Sequence, residues 1–320
     1  MTQPRAGAPD TRTWLRRPTD ALPNASIGTV PILWQYRDEP GTGRPIDPAS
    51  LLDEFARLGF EGTQLGDSFP EGSELRRMLA DRGLRLAEVY VALPATADGL
   101  SADAPAIGRE RLRLLREGGG EVLCVALDGS PERDPWTARA SSPGAPRLTE
   151  GAWTGLTTYV NELAAETTRA GARLAFHPHA GTYVETPDEV DRLVASTDPA
   201  TVGICLDVGH YTVGGGDPVV ALERLGDRVT HVHLKDVDPA VHASLRAGAL
   251  DGFDTATRLR VFTELGSGSL DLMGILRVLH GRRYSGWLMV EQDSSWPPPS
   301  EAAAIGRRVL AHALRVVGSS

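Results

Sequence analysis

VTHVHLKDV, residues 229–237, reads as one β-strand and its exit. His231 and His233 alternate with Val232 and Leu234, and a period of two sends both imidazoles to one face of a sheet. Lys235 and Asp236 follow directly. Three other short apolar runs end in the same way: LAFHPH (174–179), VGICLD leading into VGH (202–210), and WLMVEQD (287–293). Imidazole and carboxylate groups therefore recur at the C-terminal ends of the later strands. The ends of parallel strands converge on one mouth when a sheet closes into a barrel.

Working outward, the chain alternates apolar β-branched runs with segments of helical spacing, as βα units do. Strands are expected near Ile27–Leu33, Gly62–Leu65, Leu86–Val91, Val122–Ala126, Leu174–His177, Val202–Leu206, Val229–Leu234 and Trp287–Val290. Helices are expected over 47–60, entered by Asp-Pro, over 74–83, over 186–197 behind a Thr cap, over 217–226, over 269–281 and over 300–316. Eight strands in this alternation predict a single-domain (β/α)8 TIM barrel over residues 26–320, preceded by a polar N-terminal arm, residues 1–25. A doubly wound open sheet is disfavoured, because WQYRDEPGTG after strand one holds no GxGxxG phosphate turn. Long loops at 128–150 and 236–268 follow strand ends, on the face where barrels carry out chemistry.

Of the 320 residues, 41% are hydrophobic and 23% charged, a globular balance that excludes wholesale disorder. The net charge of −9 argues against nucleic-acid or acidic-membrane partners. No run approaches the roughly 18 apolar residues of a membrane span, and no signal peptide is visible. Cys124 and Cys205 both lie in apolar runs and read as buried free thiols, which points to a reducing, cytoplasmic setting. A homodimer is expected on base rates alone.

His177, Asp207, His233 and Glu291 are the candidate metal ligands. A mixed nitrogen and oxygen set without thiolate suits one divalent cation, Mn2+ or Co2+ before Mg2+ or Zn2+. Taken singly, a strand-end His is more often a hydrogen-bonded structural residue and an Asp before a helix more often a cap. Four such residues on four consecutive strand ends are hard to explain that way. Glu185, eight residues beyond His177, is a further acid that could act as ligand or base. His179, His210 and His231 are candidate proton donors. Lys235 is the single lysine among 33 basic residues, and its place beside the His pair suits contact with a carbonyl or oxyanion. Across the mouth, Trp34, Gln64 and Glu88 are candidate contacts for a polyhydroxylated small molecule, since sugar-like rings offer both CH faces and hydroxyls.

Seven segments carry a family likeness: GTVPILWQ (28–35), FARLGFEGTQLGDSFP (55–70), FHPHAGTYVETPDEVDRL (176–193), VGICLDVGHYTVGGGDP (202–218), RVTHVHLKDV (228–237), VFTELGSGSLD (261–271) and YSGWLMVEQD (284–293). In order and spacing they resemble the xylose-isomerase-like barrels, the sugar phosphate isomerase/epimerase superfamily, and within it the inosose (2-keto-myo-inositol) dehydratases. The resemblance implies one divalent metal held by Glu, Asp, His and Glu. Asp207, His233 and Glu291 match the last three. His177 stands where the first Glu is expected, which leaves the fourth ligand between His177 and Glu185 and weakens an epimerase reading. His210 matches a position that contacts substrate oxygen in epimerase relatives.

The expected activity is a metal-dependent lyase on a keto-cyclitol or keto-sugar. A base, Glu291 or Glu185, removes the α-proton. The metal stabilises the enediolate, and an acid, His179, His210 or His231, helps the β-group to leave. The rival is an aldose–ketose isomerase or ketose 3-epimerase sharing the enediolate. A non-catalytic sugar-binding subunit ranks below both. An abasic-site endonuclease would need more metal ligands and a basic groove.

Overall fold

The computed structural model describes residues 21–35 and 47–319. Residues 1–20 of the expected arm, and residues 36–46 and 320, lie outside the described residues. The described part of the arm is packed: Ala21 and Leu22 are buried in the core.

Eight parallel strands close into a barrel. They are β1 (Ser26–Thr29), β2 (Gly62–Gln64), β3 (Arg85–Leu93), β4 (Val122–Leu127), β5 (Arg173–Phe176), β6 (Val202–Asp207), β7 (Val229–Leu234) and β8 (Trp287–Val290), each paired with its neighbours and β8 with β1. The outer helices are α1 (Pro48–Arg57), α2 (Gly72–Ala80), α3 (Ala104–Gly118), α4 (Glu150–Arg169), α5 (Pro187–Ala195), α6 (Pro218–Leu225), α7 (Leu272–Gly281) and α8 (Pro299–Gly318). The expected barrel is the observed one. β1 is shorter than its apolar run, because a short helix, Ile32–Gln35, takes up the end. Pro31, without an N–H, leaves the ladder there.

Local chemistry sets the helix starts. The Asp47 side chain accepts the Ser50 N–H ahead of α1, with Pro48 in the first turn. Thr186 and Glu189 form a reciprocal capping box on α5. Asp217 caps α6.

Inside the barrel, large side chains face glycines. A Cβ on Gly62 would lie 2.5 Å from the Trp287 ring and 2.7 Å from the Arg85 carbonyl; one on Gly28 would lie 2.5 Å from Met289 Sδ. Trp287 and Met289 thus fill the lower barrel, and Glu291 continues the same inward face upward. The registers Asp207↔His233 and Cys205↔His231 place those pairs side by side on β6 and β7. Because the backbone carbonyl of Arg85 cannot yield as a flexible side chain could, Gly62→Ala is expected to cost about 1–3 kcal/mol. Urea unfolding measures this, and an unchanged midpoint would show that the lower barrel is loosely packed.

Candidate metal centre

Period-two alternation on β7 aims His231, His233 and Lys235 inward at successive heights. All three are buried, Lys235 to 1% exposure. Asp207 ends β6, Glu291 follows β8 and His177 follows β5. Asp207 Oδ2 lies 3.8 Å from His233 Nδ1 and 3.6 Å from His177 Nε2. Glu291 Oε2 lies 2.6 Å from His233 Nδ1. The structure brings the four expected ligands into one cluster: His177, Asp207 and His233 have the spacing of a metal site, and Glu291 joins them against His233.

Three of them share a pattern. Asp207 Oδ1 accepts the His210 N–H at 2.8 Å, Glu291 Oε1 accepts from Lys235 Nζ at 2.9 Å, and His233 Nε2 donates to Glu88 at 3.0 Å. Their other atoms, Asp207 Oδ2, Glu291 Oε2 and His233 Nδ1, are buried without a well-aligned hydrogen bond, although Nδ1 lies 2.6 Å from Glu291 Oε2 and Asp207 Oδ2 lies 3.4 Å from Lys235 Nζ. Buried polar atoms so poorly served demand a better partner. Two carboxylate oxygens and imidazole nitrogens turned to one point fit a divalent cation. Among the described residues three clusters have metal-ligand spacing, and all share His233. In the set with Cys124 and Cys205, burial raises Cys205 to about 12 and Cys124 well above its ordinary value, so a cation there would have to displace two tightly held thiol protons.

Electrostatics support an ionised carboxylate pair. Burial opposes the Asp207 charge, but Lys235 and then His177 overcome it and hold the carboxyl below its usual range. Burial likewise opposes Glu291, which Lys235 and His233 bring down to about 2. Burial raises Asp293 to about 6, although Lys235 lies 3.1 Å from its Oδ1. Burial, then His177 and Lys235, lower His179 to about 3; burial and His179 also lower His210. Both are therefore neutral.

The remaining expected residues fall in different places. His179 and His210 stack at 3.7 Å between centroids, and His210 Nε2 is 3.3 Å from Lys235 Nζ. Glu88 and His231 lie enclosed beneath the metal point and bond to each other at 2.7 Å. Gln64 is half-buried at the end of β2, paired in register with Glu88. Trp34 packs edge-on against Phe55 at 5.0 Å, within the core. Glu185 is buried, and both its oxygens accept backbone N–H groups, of Ala138 and Gly181, each at 2.8 Å. Burial nonetheless raises it to about 7.

Sequence reasoning missed Asp293, which sits against Lys235, and the aromatic residues of the second insertion. Phe253 lies 5.2 Å from His179, Phe262 lies 4.8 Å from His210, and Lys235 Nζ stands 4.7 Å over Phe262. The two insertions meet, since Asp134 Oδ1 accepts the Phe253 N–H at 2.8 Å. Asp236 ties the second insertion to the strand end by accepting from Val237, Gly266 and Leu270. Arg133 anchors the first: fully buried, it clamps both oxygens of Glu189 at 2.7 Å.

A parallel barrel whose strand ends gather His, Asp, His and Glu defines a class of divalent-cation sites built at a barrel mouth. The family described as Xylose isomerase-like TIM barrel matches residues 52–312, and the chain belongs to it. An inosose dehydratase of Geobacillus kaustophilus is 35% identical over 288 residues, 89% of this chain and 93% of that protein. The rhizopine catabolism protein MocC of Rhizobium meliloti is 34% identical over 302 residues, 93% of this chain and 91% of that protein. Among solved structures, an L-ribulose 3-epimerase superposes with a TM-score of 0.68 at 18% identity, covering 92% of this chain and 95% of its own. A zinc-bound IolI protein superposes with a TM-score of 0.65 at 15% identity, covering 92% and 98%. At these identities the solved structures speak for the fold alone.

Removing the Arg133 guanidinium strands the Glu189 carboxylate in the interior. Arg133→Met is expected to cost about 3–5 kcal/mol and to open loop 128–150 to protease. Thermal unfolding with limited proteolysis checks both. Arg133→Met/Glu189→Gln is expected to recover part of the loss.

Proposed function

We propose that this protein is a divalent-metal-dependent dehydratase that eliminates water from an inosose-like keto-cyclitol. The observation that carries the reading is the cluster of His177, Asp207 and His233 at metal-ligand spacing, with Glu291 Oε2 against His233 Nδ1. The 35% identity to an inosose dehydratase over nearly the whole chain supports the substrate class. His177 is the fourth ligand in this reading, because Glu185 has both oxygens committed to backbone amides. A bound divalent cation would polarise the ketone and stabilise the charge that builds on oxygen as the α-proton leaves.

The chain's own groups divide the proton transfers. We assign removal of the α-proton to Glu291 Oε1, the oxygen not turned to the cation point, which Lys235 holds at 2.9 Å. His210 Nδ1 receives the Ala180 N–H at 3.2 Å, so its own proton sits on Nε2. We assign that N–H to the departing hydroxyl. His179 Nδ1 faces the Ala180 carbonyl at 2.8 Å, which leaves its Nε2 as an acceptor for a substrate hydroxyl. His231 is tied to Glu88 below the mouth and takes no part in proton transfer. Phe253 and Phe262 offer an apolar wall to the CH face of a carbocycle.

Lys235 is engaged by Asp207, Glu291 and Asp293. The cluster thus has no unpaired ammonium for a phosphate, which favours an unphosphorylated polyol. His177 in place of a glutamate also removes one of the two opposed acids that a ketose epimerase uses.

Chelation of the purified protein is expected to abolish water loss from an inosose, followed by NMR, and Mn2+ or Co2+ to restore it. Glu291→Gln, reloaded with metal, is expected to lose about 10²–10⁴-fold in turnover. Run in D2O, the wild type should form the dehydrated product. Deuterium entering the recovered ketose or inosose with no elimination would establish the isomerase or epimerase reading instead.

A further inference from the structure

Glu88 is a carboxylate sealed in the barrel at 0% exposure, on the strand opposite β7. Its Oε2 lies 2.7 Å from His231 Nε2 and 3.0 Å from His233 Nε2, while Oε1 is buried without any partner. An isolated carboxylate is costly to bury, and two imidazole donors to a single oxygen compensate it only in part. A hydrocarbon side chain would fill the same volume at less cost. What the carboxylate adds is direction. An imidazole that donates Nε2–H to a carboxylate has its ring plane fixed and its lone pair left on Nδ1. On His233 that nitrogen faces Asp207 Oδ2 at 3.8 Å and Glu291 Oε2 at 2.6 Å, a contact that requires a proton between the two in the metal-free chain and that a bound cation would take over.

We propose that Glu88 is a positioning residue: through His233 Nε2 it sets the tautomer and orientation that present Nδ1 to the cation, with His231 as the second donor that keeps Glu88 from turning toward the cation itself. Glu88 therefore touches neither substrate nor metal. This inference rests on the metal reading above, although it concerns a different residue and a different measurement. His231 contributes from the side: its Nε2 is spent on Glu88 and its Nδ1 is enclosed without a partner, so its only polar contact is the shared carboxylate.

The test titrates Co2+ into the metal-free full chain and reads the visible absorption of the bound ion, with far-UV circular dichroism confirming each variant's fold. Wild type should bind one Co2+. Glu88→Leu should bind it about 10–100-fold more weakly, with a displaced absorption band. Glu88→Gln keeps an acceptor oxygen but no charge, so it should fall between the two. Should Glu88→Leu fail to fold, Glu88→Gln decides alone: affinity and band both identical to wild type overturn the proposal. An independent reading needs no variant. Long-range 15N–1H spectra of the Zn2+-loaded wild type should show His233 protonated on Nε2, and a proton on Nδ1 would overturn the proposal outright. Failure of the wild type to bind either ion would instead remove the metal reading, and this inference with it.

Discussion

Burying charge is the constraint around which this barrel is organised. Glu88, Asp207 and Asp293 are buried and Glu291 is half-buried beside them, against one ammonium and a ladder of imidazoles. In a low-dielectric core such a group persists only when paired and hydrogen-bonded. The structure meets that demand by halves. Asp207, Glu291 and His233 each give one atom to the protein and turn the other to a shared point. The carboxylates outnumber the cations around that point, so a doubly charged ion there brings the cluster closer to neutrality. Asp207 and Glu291 ionise in spite of burial because Lys235, His177 beside Asp207, and His233 beside both together outweigh desolvation.

Scaffold and loops divide the remaining work. The strands supply charges at fixed heights, because inward side chains recur every second residue and neighbouring registers lock their levels. The loops supply shape. The first insertion is pinned from beneath by Arg133 and by Glu185, and it reaches across to the second through Asp134. The second brings Phe253 and Phe262 against the His179–His210 pair. Gly252, at φ 77°, has no room for a Cβ beside the Asp134 carboxylate, so the junction between the insertions requires a glycine on both conformational and steric grounds.

Much of this was legible in the sequence because it follows from local rules. Alternation along VTHVHLKDV and the strand-end positions of His177, Asp207 and Glu291 specify a mouth once the barrel is inferred, and the barrel follows from the alternation of strands and helices. The parts that were not legible depend on contacts between distant segments. Nothing in LAEVYV shows that Glu88 meets two histidines more than 140 residues away. Glu185 looked like a free acid near the site, yet its oxygens are consumed by loop amides whose folding no periodicity reports. Trp34 resembled a sugar-stacking residue, but β1 ends early and the short helix after it turns the ring against Phe55. α3 and α4 carry no boundary signal as clear as the Thr186 capping box, and the sequence did not delimit them.

The lone lysine ties these levels together. Elsewhere the chain meets its need for positive charge with arginine, so composition alone would place arginine here as well. Geometry forbids it. Lys235 Nζ sits within 3.4 Å of Asp207, Glu291 and Asp293, and over the ring of Phe262. A compact tetrahedral ammonium can donate in three directions within such a ring of acceptors, whereas a planar guanidinium is wider and delivers its donors in one plane. It would displace either Asp293 or the Glu291 oxygen that faces away from the cation point. The oxygen that Glu291 turns toward the proposed cation point is thus held by the charge behind it, and the candidate ligands are preorganised by a residue that need not touch an ion there.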